Sequence, residues 1–160
     1  MDFLFDFTIL HVLISVIALV SGVRLTVAFT KGDDPYSIKF VFLVSTAANL
    51  LTGFLFPFHG VTPAIVIGAL NAVILLGTIA ASARKSSTRL WGLSYVVGSL
   101  ALLYFNCLVF IVQSFQKVPC LHAMAPVGNE PPVIVSQGVL FLVAIAAGYL
   151  CLRRTRRPAI

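Results

Sequence analysis

Charge is what this sequence lacks most. Only 10% of its 160 residues are Asp, Glu, Lys or Arg, and five of those are acidic. Soluble domains carry about 25% charged residues, so a water-soluble globular fold is excluded. No polar linker divides the chain, which argues against two soluble domains and for one helical unit.

Other absences narrow the function. The three cysteines, Cys107, Cys120 and Cys151, form no C-x-x-C pair, so a thiol–disulfide oxidoreductase motif is missing. Cys107 and Cys151 fall in apolar segments and only Cys120 in a loop, so no structural disulfide is expected. There is no G-x-S-x-G, no H-E-x-x-H and no glycine loop for a nucleotide. No pair of carboxylates sits at membrane depth, and the short basic loops leave no room for a catalytic domain. The chain therefore reads as non-enzymatic. No acidic residue lies mid-span, so a carboxylate proton relay is absent. No internal repeat, low-complexity segment or coiled-coil heptad appears. The opening carries Asp2 and Asp6 in place of a basic n-region, so the first apolar segment reads as a retained span and not a cleaved signal.

What is present is apolar. Hydrophobic residues make up 59% of the chain, and the mean hydropathy is +1.04. A span needs roughly 20 mostly apolar residues. Five segments qualify: 7–29, 39–58, 63–83, 90–115 and 133–152. The expected fold is all-α, a five-helix transmembrane bundle. Prolines 57, 63, 119, 126, 131 and 132 cluster at span ends, where they stop helices and stiffen loops.

The net charge of +6 is placed between and after the spans. It reads as a set of topology determinants lying against anionic headgroups, and no nucleic-acid partner is expected. With five spans the termini lie on opposite sides. Arg24, Lys31, Lys39, Arg84, Lys85, Arg89, Arg153, Arg154, Arg156 and Arg157 then share one side, and Lys117 stands alone on the other. The positive-inside rule puts the N-terminus out and the C-terminus in. Arg24 falls inside the first span near its inner end, where its stem can snorkel to the interface.

Each span also carries a face of small and polar residues. These are Thr8, His11, Ser15, Ala18 and Gly22 in the first, and Ser45, Ala48, Asn49 and Thr52 in the second. The third has Ala64, Gly68, Asn71, Thr78 and Ser82, and the fourth Ser99, Asn106 and Gln113. The fifth has Gln137, Ala144, Gly148 and Cys151. Small residues let membrane helices approach, and polar ones bond across the interface. These faces are expected to point into one bundle.

All three histidines fall on the outer side: His11 in the first span, His59 in the second turn and His122 in the long fourth loop. Asn71, Asn106, Gln113 and Gln137 lie in the outer halves of their spans and are candidates for a polar interior or ligand site. Imidazole is the commonest metal ligand. His11 and His59 are accordingly candidate cofactor ligands, in the manner of axial haem ligands. His122 with Cys120 is a candidate copper or zinc pair. The alternatives are structural: His11 bonding across the bundle, His59 capping a helix end, His122 solvated, and the amides serving as interhelical glue.

"TGFLFPFHGVTPA" at 52–64 and "KVPCLHAMAPVGNEPP" at 117–132 resemble a family of small, uncharacterised multi-pass bacterial membrane proteins. The opening "LHVLISVIALVSG" at 10–22 fits the same pattern. The resemblance implies a bundle in the bacterial cytoplasmic (inner) membrane and no defined activity. Cys120 stands where that pattern has an apolar residue. The leading expectation is a non-enzymatic accessory subunit or small-ligand binder acting through its outer face. Its partners would be the bilayer, and a larger membrane complex or further copies of itself. A haem- or metal-binding protein is the runner-up, and a small oligomeric permease the third reading.

Overall fold

The computed structural model describes residues 3–57 and 63–155. Among these residues six helices follow one another: α1 (Phe3–Lys31), α2 (Tyr36–Phe54), α3 (Pro63–Arg84), α4 (Arg89–Lys117), the short α5 (Pro119–His122) and α6 (Pro131–Thr155). No strand occurs among the described residues. Five of the helices are long and apolar enough to cross a membrane. The expected all-α, five-span fold is what is found.

Local chemistry sets the helix ends. At the end of α1, Gly32 has φ +87°, its N–H bonds the Phe29 carbonyl, and the Asp33 N–H bonds that of Ala28. This is a Schellman closure, which needs a left-handed residue and so favours glycine. The second span is shorter than the sequence suggested. It stops at Phe54, not 58, with Leu55 as C-cap. Pro57 disfavours helical geometry in the residue before it, and the chain has left the helix by then. Thr88 opens α4, its hydroxyl accepting from the Trp91 N–H at 3.3 Å. Both α1 and α4 extend beyond the expected limits, each reaching 29 residues.

The helices pack as two antiparallel hairpins, α1 with α2 and α3 with α4. α2 also meets α3, α1 meets α4, and α6 lies against α4 and α1. Leu25, Phe42, Leu102, Thr46 and Cys151 are buried to within 1% at the centre, so the space between the helices is filled by side chains. Close approach depends on glycine at two places. A Cβ on Gly22 would sit 2.7 Å from the Phe42 ring, and one on Gly98 would collide with Thr78 Oγ1. Phe115, Ala125 and Val133 make a separate small core under the long loop.

Most of the expected inward faces are inward. Ala18, Ser45, Asn71, Thr78, Ser99, Asn106 and Cys151 are buried. Gly148 departs from the expectation, because a Cβ there would meet nothing within 4 Å. The reason lies in α6, which rests in the α1–α4 groove on one side only and leaves Val139, Leu142, Val143, Tyr149 and Leu150 exposed.

Candidate functional site

Two ends of the bundle can be told apart by charge. Asp34 precedes α2 and Lys85 follows α3, and the two are paired. The α1–α2 and α3–α4 connections therefore share an end. Cys151, near the C-terminal end of α6, points its Sγ at the Thr26 carbonyl of α1 at 3.7 Å. Arg24, Lys31, Lys39, Arg84, Lys85, Arg89, Arg153 and Arg154 consequently gather at one end, and Lys117 lies at the other.

At the Lys117 end, His11 is half-buried and its Nδ1 lies 2.7 Å from Thr52 Oγ1. Its ring meets Phe56 edge-on at 5.2 Å between centroids. One turn deeper, the Ser15 hydroxyl donates to Asn49 Oδ1 at 2.6 Å. Deeper still, Asn106 Nδ2 reaches Thr46 Oγ1 at 3.5 Å. These pairs stitch α1 to α2 and α2 to α4, matching the alternative of histidine and amides as interhelical bonds. Asn71 is 2% exposed, and its Oδ1 has no hydrogen-bond partner among the described residues. Gln113 and Gln137 are half-buried.

His59 lies outside the described residues, so its convergence with His11 is not decided. Cys120 and His122 are both exposed on α5. Among the described residues no three His, Cys, Asp or Glu side chains gather to hold a metal ion. A zinc site takes three or four protein ligands, and two exposed groups on a four-residue helix fall short of that. The cysteines form no disulfide.

The loop carrying them is nonetheless built. Glu130 accepts the backbone N–H groups of Val127 and Gly128, each at 2.8 Å. Those bonds, the Val127 one foremost, hold its carboxyl below the usual range. Gly128, with φ +87°, makes the turn, and Ala125 is buried beneath it. Of the two outer connections that the prolines were expected to stiffen, the 117–132 loop is held by these bonds, and the His59 turn lies outside the described residues.

The basic end holds what sequence reasoning missed. Asp34 receives the Tyr95 hydroxyl at 2.8 Å and pairs with Lys85, while Lys39 Nζ lies 4.0 Å away. Both ammonium groups also stand over the Tyr95 ring, at 5.9 Å for Lys39 and 5.6 Å for Lys85. One carboxylate thus gathers groups from α2, the α3–α4 turn and α4. The available signal was an acidic pair, Asp33–Asp34, placed inside an otherwise basic end.

Beside this cluster a cleft of about 600 Å³ opens, lined by Val23, Arg24, Val27, Lys31, Asp33 and Ile38 among others. A second, of about 420 Å³, continues from it along Val16, Val20, Ser37 and Val41, sharing Arg24 and Ile38. Together they form a groove between α1 and α2 that opens on the outside of the bundle. Its floor is aliphatic and its head is charged. Arg24 is exposed there, with no carboxylate within 4 Å among the described residues. Such an arrangement suits an amphipathic molecule with an anionic head.

Comparison of the chain with protein-family models, curated proteins and solved structures gives no match.

Proposed function

We propose that this chain is a non-enzymatic multi-pass protein of a bacterial cytoplasmic membrane. In this reading it lies N-terminus out and C-terminus in, and works as a small-ligand binder or accessory subunit. The observation that carries the reading is the α1–α2 groove, an aliphatic trough whose charged end holds Arg24, an arginine with no carboxylate within 4 Å among the described residues. It moves the favoured ligand surface from the outer cap to the basic end. Ligand binding is favoured over transport because Phe42, Leu25 and Leu102 fill the centre of the bundle, where Ser15 bonds Asn49 and Asn106 bonds Thr46.

The test is native mass spectrometry of protein released from mild detergent. A retained small-molecule adduct that disappears in Val27→Trp, which fills the trough, supports the reading. Bare protein, or an adduct indifferent to that substitution, overturns it. Solute flux in vesicles at a rate set by the protein would instead favour the permease reading. Co-purification with a larger membrane assembly would identify the accessory-subunit form.

A further inference from the structure

The head of the α1–α2 groove carries an unbalanced positive charge. Arg24 and Lys31 both line it. They are seven residues apart, two turns on the same face of α1 and about 10 Å along its axis. Asp34 also touches the groove but is engaged by Lys39, Lys85 and Tyr95. That leaves Asp33, exposed on the rim, against two cations.

Arg24 is the unusual residue. It lies within an apolar span, exposed on the outside of the bundle, between Val23 and Leu25 in sequence and beside Val20 and Val27 on the helix. A charge at membrane depth ordinarily faces the bundle interior or pairs with an opposite charge. This one faces outward, with no carboxylate within 4 Å among the described residues. Along the stretch of groove from Val16 to Arg24 its neighbours are aliphatic, apart from Ser21 and Ser37. A guanidinium matches a phosphate oxygen pair, with a planar fork of donors that a lysine lacks.

The groove also has the dimensions of a lipid. From Val16 to Lys31 α1 rises about 22 Å. Of that, about 12 Å lies between Val16 and Arg24, most of the roughly 15 Å of half a bilayer's hydrocarbon, and about 10 Å between Arg24 and Lys31 remains for a headgroup. Granting that the groove holds a ligand, as proposed above, we infer that its occupant is an anionic phospholipid of the adjoining leaflet. The phosphate sits on Arg24, the rest of the headgroup lies toward Lys31, and one chain runs along Val23, Val20 and Val16. A zwitterionic headgroup fits less well, because its cation would be brought to Lys31.

The experiment reconstitutes the full-length protein in bilayers of phosphatidylcholine and phosphatidylglycerol in equal amounts. The lipids retained are then read by native mass spectrometry. The expected result is preferential retention of phosphatidylglycerol. Arg24→Gln should lower that preference about five-fold, the worth of one basic residue at an anionic surface. Asp33→Asn should raise it, a gain that only a folded protein can show. Lys117→Gln, at the far end of the bundle, should leave it unchanged. Equal retention of both lipids, each lost in Val27→Trp, would overturn the anionic assignment and leave the groove a ligand site. No retained lipid or other adduct would overturn both. Equal losses in Arg24→Gln and Lys117→Gln would also overturn the assignment, since the preference would then follow total charge and not the groove.

Discussion

The Tyr95 hydroxyl donates a 2.8 Å hydrogen bond to the carboxylate of Asp34, 61 positions earlier in the chain. Tyr95 is 2% exposed, so the bond ties the interior of α4 to the connection that precedes α2. With Lys85 on the same carboxylate, it fastens the two helical hairpins together at their basic end. A carboxylate shared by several donors is worth more than an exposed ion pair, because its partners are already held in place by packing.

Asp34→Asn should therefore loosen that end. Removing the charge leaves two ammonium groups facing each other over Tyr95. The loss expected is about 2 kcal/mol, in the range of hydrogen bonds to charged groups, read as a fall in thermal midpoint in detergent. Tyr95→Phe, which keeps the ring beneath both lysines, should cost less, about 1 kcal/mol. An Asp34→Asn protein as stable as wild type would show that the cluster fastens nothing.

Gly98 and Gly148 make a matched pair for packing. Gly98→Ala drives a methyl into Thr78, whose hydroxyl is held by the Ile74 carbonyl at 2.7 Å. Overpacking of this kind costs about 1–3 kcal/mol. Gly148→Ala meets open space and should be neutral or slightly stabilising, since alanine is the better helix former by about 1 kcal/mol. Equal effects at the two sites would contradict the α3–α4 contact.

His11 and Thr52 should couple. Single substitutions His11→Ala and Thr52→Val each remove the same 2.7 Å contact. A double-mutant cycle should return an interaction of about 0.6 kcal/mol, typical of hydrogen bonds between membrane helices. Zero coupling would release His11 from a structural role. Iron, copper or zinc bound in proportion to the chain and lost in His11→Ala would return it to the cofactor reading.

The cap should open in acid. Glu130 has a folded-state pKa below its unfolded value, so its contribution is complete above the unfolded carboxyl's pKa of about 4.3. It is lost as pH falls through the lower folded value. Protection of the Val127 and Gly128 amides, measured against the intrinsic exchange rate at each pH, should be high at neutral pH and low in strong acid, with Glu130→Gln low at both. Protection unchanged in Glu130→Gln would break the link between this carboxylate and the loop.

The native cysteines report orientation. Cys120 is exposed on α5 at the end opposite the arginines, whereas Cys151 is fully buried. With the N-terminus out, a membrane-impermeant maleimide added to intact cells should label Cys120, and Cys120→Ser should abolish the signal. Labelling of Cys120 only after the membrane is opened would invert the proposed topology.

The sequence by itself determined the number of spans and the segregation of charge, because both follow from what hydrocarbon tolerates. Twenty-residue apolar runs must be helical in lipid, where backbone groups have no water to bond, and lysine and arginine collect at or near their ends, Arg24 lying furthest in on the first. The polar faces were legible for the same reason: Ser45, Asn71, Thr78 and Asn106 recur at helical spacing, and each is buried. Gly148 had the same spacing and faces outward, because periodicity gives a helix a face but not a neighbour.

Neighbours were decided by tertiary structure alone. Nothing local in "KGDDPYSI" says that Asp34 meets Tyr95 and Lys85, since that contact needs two hairpins packed side by side. Arg24 reads in sequence as a snorkelling residue near a span end. Only the packing of α2 beside α1 sets it at the head of a groove, with Val27 and Ile38 as walls. Long-range pairs depend on which helix faces meet, and a composition this uniformly apolar offers many faces of nearly equal merit. The close fit at Gly22 and Gly98, and one carboxylate among several cations, select among them.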